Sequence, residues 1–274
     1  MNRVILFSHL FFILFSLSIF GQSDQQREQI RREVFEQRQH KRKLDNLKGV
    51  EVEGINLSFF KLSNEDKQLT APSEEDKKKI ADFSRLSNVE IVKLLNISCL
   101  KAGQVKLDNA CKNSIPGFGS YYSFRDRRYL YPSMSDLQLS KDWFVTAGFL
   151  TQGIIVSLGE VDFENISLIS PGVNFLNQFT PAESPDEADK QRKQIEDGIK
   201  KDEFSYNRIA QVKVNNVYAM RSIAYRSKAK TLDKREDTIL VFKVISRDIE
   251  GNVTLIWRKL KSKTAPKIKT ENEN

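Results

Sequence analysis

The chain has 274 residues, with 44 Lys and Arg against 36 Asp and Glu, two histidines and two cysteines. A net charge of +8 suggests polyanion binding, but Arg3, residues 22 to 48 (eight cations, five acids) and residues 258 to 274 (six cations, two acids) carry all of it, leaving 29 charges of each sign between 49 and 257. His9 falls in an apolar leader and His40 in a charged lead-in, so the body lacks the usual general base and zinc ligand, which argues against a Ser-His-Asp triad, a Cys-His pair or a His-ligated zinc there.

Met1 to Phe20 places one cation, Arg3, before an apolar run from Val4 to Phe20, followed by Gly21, Gln22 and Ser23. That is the layout of a secretory signal peptide, assigned to residues 1–21. Ser8, His9, Ser16 and Ser18 interrupt the run, and it falls short of the roughly 20 apolar residues of a spanning helix. Cleavage after Gly21 is therefore favoured over retention as an anchor. The first cysteine is Cys99, so none sits at the cleavage point to carry a lipid. The expected location is secreted or periplasmic.

Residues 22–48 have five apolar side chains among many charges and predict a marginal helix or a flexible lead-in. Residues 49–262 read as a single α+β domain, an antiparallel β-sheet with helices packed against it, and 263–274 as a disordered basic tail. The basic ends predict a weak, salt-sensitive contact with anionic surfaces. No specific nucleic-acid signal is present, and nothing implies a cofactor or a metal.

Within the domain, Val50 and Val52 alternate with Glu51 and Glu53, and with INLSFFKL after Gly54 they predict one or two short strands. Ser63 and Ser73, each followed by acids, open two helices separated by Pro72; the second is predicted to reach Leu86 with Ile80 and Phe83 inward. VEIVKLLNI predicts a strand, and a polar interval follows. Its two cysteines, Cys99 and Cys111, lie downstream of an export signal, where disulfides persist. A bridge between them would close a short loop, worth about 3 kcal/mol in the chain-entropy model. Two separate buried thiols are the alternative.

PGFG at 116 to 119 marks a loop, and Tyr121 to Arg125, Leu137 to Leu139, Trp143 to Phe149 and Gly153 to Leu158 read as successive strands. Residues 181 to 201 form a polar surface helix. QVKV, NNVYAMRSIAYR, DTILVFKVISRD and VTLIWRKLK follow as strands, the last two joined by the turn IEGN as a hairpin.

Chemistry is sparse in this pattern. Ser98 and Lys101 have Ser-x-x-Lys spacing, but no Lys-Thr-Gly follows and the segment runs off a strand. Gly117 and Gly119 precede a strand rather than the helix start that a phosphate cradle needs. Carboxylates are the remaining acid-base groups, with Asp136, Glu160 and Asp162 beside the central strands as the acids to test. Alternation of Glu160, Asp162 and Glu164 with Val161 and Phe163 also fits a solvent-facing edge. Asp248 and Glu250 before Gly251 match part of a calcium loop, but the remaining ligand positions fail.

The segment YYSFRDRRYLYP interleaves aromatic and guanidinium groups, which together can hold sugars, polyanions or single-stranded nucleic acid. Tyr121, Arg125, Arg127, Arg128 and Tyr129 are the residues expected to form a binding surface. An amphipathic hairpin, with Tyr122 and Phe124 entering the core, is the competing structural explanation.

LTAPSEEDKKKIADF, GSYYSF, FLTQGIIVSLGEV, VYAMRSIAYR and DTILVFKVISRDIEGNVTLIWRKLK together resemble an uncharacterised family of exported bacterial proteins, over about residues 60 to 262. The resemblance implies a bacterial envelope or extracellular location and brings no activity, ligand or catalytic residue. The resulting expectation is a non-catalytic binding or structural module of the cell envelope or extracellular space. The competing class is a carboxylate-dependent hydrolase of a cell-wall or extracellular polymer.

Overall fold

The computed structural model describes residues 62, 64–81, 83, 88–96, 100–101, 104–105, 115–130, 132, 134–146, 151–225 and 235–268. All of them fall in one compact unit, Ile55–Asn274. The leader, the charged lead-in, the strands predicted around Val50 to Leu62 and both Cys99 and Cys111 with their proposed bridge lie outside the described residues, apart from Leu62 itself.

Two short helices come first, α1 (Asn64–Leu69) and α2 (Glu74–Ala81). Ser73 caps α2, its hydroxyl accepting from the Asp76 amide at 3.0 Å, with three acids in the first turn. The helix stops at Ala81, short of the predicted Leu86, because the Phe83 amide donates to the Ile80 carbonyl at 2.8 Å and tightens the chain there. Ile80 and Phe83 nevertheless pack inward, as their spacing implies.

Strands dominate the rest. The larger sheet contains β1 (Glu90–Leu94), β8 (Thr151–Gly159), β12 (Val217–Ala224), β13 (Asp237–Arg247) and β14 (Val253–Lys263), antiparallel in the order β1-β14-β13-β12-β8. The smaller contains β4 (Tyr121–Ser123), β5 (Arg128–Tyr129), β6 (Leu137–Ser140), β7 (Trp143–Thr146) and β11 (Ile209–Gln211), antiparallel in the order β11-β7-β6-β4-β5. Two small hairpins, β2 (Leu100–Lys101) with β3 (Gln104–Val105) and β9 (Ile199–Lys201) with β10 (Phe204–Tyr206), complete the set.

The expectation of one sheet beneath helices is thus half of the architecture; a second five-stranded sheet forms another layer. TILVFKVIS and VTLIW are apolar at consecutive positions, so these strands must be covered on both faces. Leu240, Phe242 and Val244 face the smaller sheet with Tyr218, Met220, Leu255 and Trp257, against Tyr122, Phe124, Leu137, Leu139 and Phe144. Edge-on rings join the layers, Phe124 to Trp257 at 5.0 Å and Phe144 to Phe242 at 5.1 Å between centroids, while Tyr218 stacks on its strand partner Phe242 at 5.0 Å within the larger sheet. Ile239, Val241, Ala219 and Ile154 face the other way, toward α3 (Val173–Gln178) and α4 (Pro185–Asp197). Burying each large apolar side chain contributes roughly 1.5–3 kcal/mol, so the two clusters dominate folding.

Gly153 fixes how closely the layers meet. A Cβ there would lie 2.3 Å from Thr146 Cβ, and the Thr146 hydroxyl donates to the Gly153 carbonyl at 3.2 Å. Helix α4 follows its sequence signals: Ser184 caps it, Pro185 opens it, Gly198 at φ 88° ends it, and Ile195 is its one fully buried anchor. The predicted IEGN hairpin is present between β13 and β14. The Asp248 carboxylate accepts from the amides of Glu250 (3.1 Å) and Asn252 (2.8 Å), so its oxygens serve the turn itself.

At the C-terminal end β14 runs through Lys263, and Ala265 beyond it is buried. Its cations have partners: Lys259 reaches Glu236, Lys261 reaches Asn177, and Arg258 donates to the carbonyls of Phe163, Glu164 and Ile166. Among the described residues no helix is long and apolar enough to cross a membrane.

Candidate binding site between the sheet edges

Two edge strands, β1 of the larger sheet and β5 of the smaller, lie side by side. The Tyr129 hydroxyl donates to the Lys93 carbonyl at 2.6 Å, and Arg127 Nε lies 3.1 Å from Glu90 Oε1. Between these ties is a half-open pocket of about 260 Å3 lined by Leu62, Thr70, Ile91, Val92, Tyr122, Arg127, Arg128 and Tyr129. Successive strand residues point to opposite faces, so a pocket touching both Ile91 and Val92 follows the edge of β1 rather than either face.

The hairpin that supplies the polar half is local in origin. Tyr122 pairs with Tyr129 and Ser123 with Arg128, leaving Phe124 to Arg127 as the turn. Arg127 adopts φ 53°, a left-handed conformation that is uncommon for any residue but glycine or asparagine. That turn sends its guanidinium across to Glu90, with the side chain 65% exposed. Burial pushes the Tyr122 hydroxyl well above its ordinary value, with the charge of Glu90 adding to it, and burial does the same to Tyr129. Both hydroxyls therefore stay protonated and neutral across the physiological range. The lining offers two guanidinium groups, neutral hydroxyls and an apolar wall, a set suited to holding a ligand.

The chain matches no family model, no curated protein and no solved structure.

Of the five residues expected to form a binding surface, Arg127, Arg128 and Tyr129 meet in this pocket. Tyr121 and Arg125 do not. Tyr121 is buried, its hydroxyl pushed up to about 12 by that burial, and the Arg125 side chain is 4% exposed. Arg125 instead turns inward to Asp136, its Nε 3.1 Å from Oδ1. Sequence reasoning assigned Tyr122 to the core alone; it reaches both core and pocket. Leu62, Thr70, Ile91 and Val92 were missed because they come from elements about 30 to 65 residues earlier, and no local pattern links them to the hairpin.

The three acids of the hydrolase reading are separated by environment. Asp136 has no exposed surface and accepts from Ser222 Oγ (2.6 Å), Ser123 Oγ (3.2 Å) and the Arg125 amide (3.3 Å). Glu160 and Asp162 are exposed, and Asp162 accepts from the Glu164 amide at 3.0 Å. No group of three or more His, Cys, Asp or Glu able to hold a metal occurs among the described residues.

Proposed function

We propose that the protein is an exported, non-catalytic binding module of the cell envelope or extracellular space, and that its ligand occupies the pocket between β1 and β5. The observation that carries this reading is the pocket itself: Arg127, Arg128, Tyr122 and Tyr129 converge there over an apolar wall of Leu62, Ile91 and Val92. Its 260 Å3 lies just under the roughly 300–1,000 Å3 of drug-sized sites, which restricts the occupant to one ring or a short chain. The leader with Arg3 and Val4 to Phe20 supports export.

Protein labelled at Leu, Ile and Val methyl groups, screened by NMR against sugars, aromatic acids and short peptides, tests the reading. A ligand shifts the Leu62, Ile91 and Val92 methyls, and Leu62→Trp, which fills the pocket, abolishes its binding. A screen that leaves all three unshifted refutes the reading. Export is tested separately by mass spectrometry: the exported chain should begin at Gln22, and an intact Met1 end rejects cleavage.

A further inference from the structure

We infer that the pocket takes a carboxylate carried on a single ring or short apolar body, and that this carboxylate displaces Glu90 from Arg127. The inference rests on the reading of the pocket as the binding site. Arg127 already holds a carboxylate, Glu90, at 3.1 Å through Nε. A guanidinium presents five N–H donors in a planar fork matched to a carboxylate, so the present partner shows which chemistry the position accepts.

The incoming carboxylate gains the guanidinium in place of its water, while Glu90, tethered on β1 and 29% exposed, turns to solvent; its remaining charge opposes the ligand and makes it a competitor. The existing pair is exposed on the arginine side, and exposed ion pairs are weak, so Glu90 is a replaceable occupant. Arg128 also lines the pocket. Leu62, Ile91 and Val92 supply the surface for an apolar or ring body, and the small volume excludes a polymer chain lying wholly inside.

Backbone conformation adds an independent observation. At φ 53°, asparagine or glycine would be less strained than arginine at position 127. The strain is borne at the residue whose side chain faces the pocket. Arg127→Asn therefore removes the guanidinium while preserving the turn.

Methyl-labelled protein is titrated at low salt with two matched pairs, benzoate with benzamide and glucuronate with glucose. A charge-assisted hydrogen bond to so exposed a guanidinium makes each carboxylate about threefold tighter than its neutral partner. Glu90→Gln, which removes the internal competitor, tightens carboxylate binding by about fivefold and leaves the neutral compounds unchanged. Arg127→Asn erases the carboxylate preference. Both substitutions alter side chains outside the buried core, and unshifted Leu240 and Val253 methyls verify the fold.

Equal binding of acid and neutral partner, with shifts at Leu62, Ile91 and Val92, overturns the carboxylate assignment and leaves the pocket as the binding site. Unchanged or weaker carboxylate binding by Glu90→Gln overturns the exchange. Silence of the three methyls with all four compounds overturns this inference together with the reading beneath it.

Discussion

Consecutive residues of β12 serve two buried Arg–Asp pairs built on opposite principles. On the helix face, Arg221 is the hub: it forks onto Asp237 through Nε (2.8 Å) and Nη2 (2.7 Å), and its Nη1 donates to the carbonyls of Leu176 and Phe179 at the end of α3. On the inter-sheet face Asp136 is the hub. Its two oxygens gather Ser222, Ser123 and both the amide and Nε of Arg125. A buried charge is tolerated only when hydrogen bonds replace its water, and a cation and an anion recruit opposite partners for this. The cation collects helix-end carbonyls and fastens a helix to the sheet; the anion collects hydroxyls and an amide and fastens sheet to sheet.

The strongest way to break the first arrangement is Arg221→Leu, which leaves Asp237 with the half-exposed Lys263 at 3.5 Å and frees two helix-end carbonyls. Loss of one partner of a buried pair costs about 3–5 kcal/mol. Chemical denaturation should show a loss of that size, and a change under about 1 kcal/mol would show that Arg221 is not the hub. Asp136→Asn should cost somewhat less, about 2–3 kcal/mol, because an amide keeps one acceptor while turning an NH2 toward donors. Its thermal midpoint should fall less than that of Arg221→Leu. Ser222→Ala removes one donor of several and should cost about 1–2 kcal/mol. Should it match Asp136→Asn, the serine rather than the aspartate organises the site.

A third buried acid sharpens the contrast, because Asp76 is satisfied by neutral groups. Burial alone would raise its pKa, but hydrogen bonds from Ser246, Thr254 and Ser73 outweigh that and hold it below the ordinary value of 3.8. A carboxyl depressed on folding contributes stability in full above its unfolded value and loses it as pH falls through the folded one. The difference in unfolding free energy between the native chain and Asp76→Asn should therefore be constant above about pH 5 and shrink as pH drops below 3.8. A difference that grows with acidification would reverse the sign of the shift.

Local pattern made the long strands legible. Apolar runs in β13 and β14, the IEGN turn and Ser73 with its acids each carry their own physics within a few residues. Short strands and contacts between distant segments were not legible. β9, β10 and the six-residue α3 have no sustained period, and α3 is held by Arg221 from 42 to 45 residues away. The candidate site divides in the same way. Aromatic and cationic residues in one hairpin announced its polar half, whereas its apolar wall arises only when β1 comes to lie beside β5. Tyr121 and Arg125 were misplaced on the surface because alternation says which residues share a face but not what covers that face.

Pairing of β1 with β14 also governs how the fold is reached. The Asn96 amide donates to Asn252 Oδ1 at 2.8 Å across 156 residues of chain, and Val92 pairs with Leu255. A loop of that length must close before the larger sheet has both edges, so its first edge strand waits for the last strand to be made. Local hairpins such as β13 with β14 can form early, whereas the β1 edge pairing joins opposite ends of the domain and is the slower kind of contact to make.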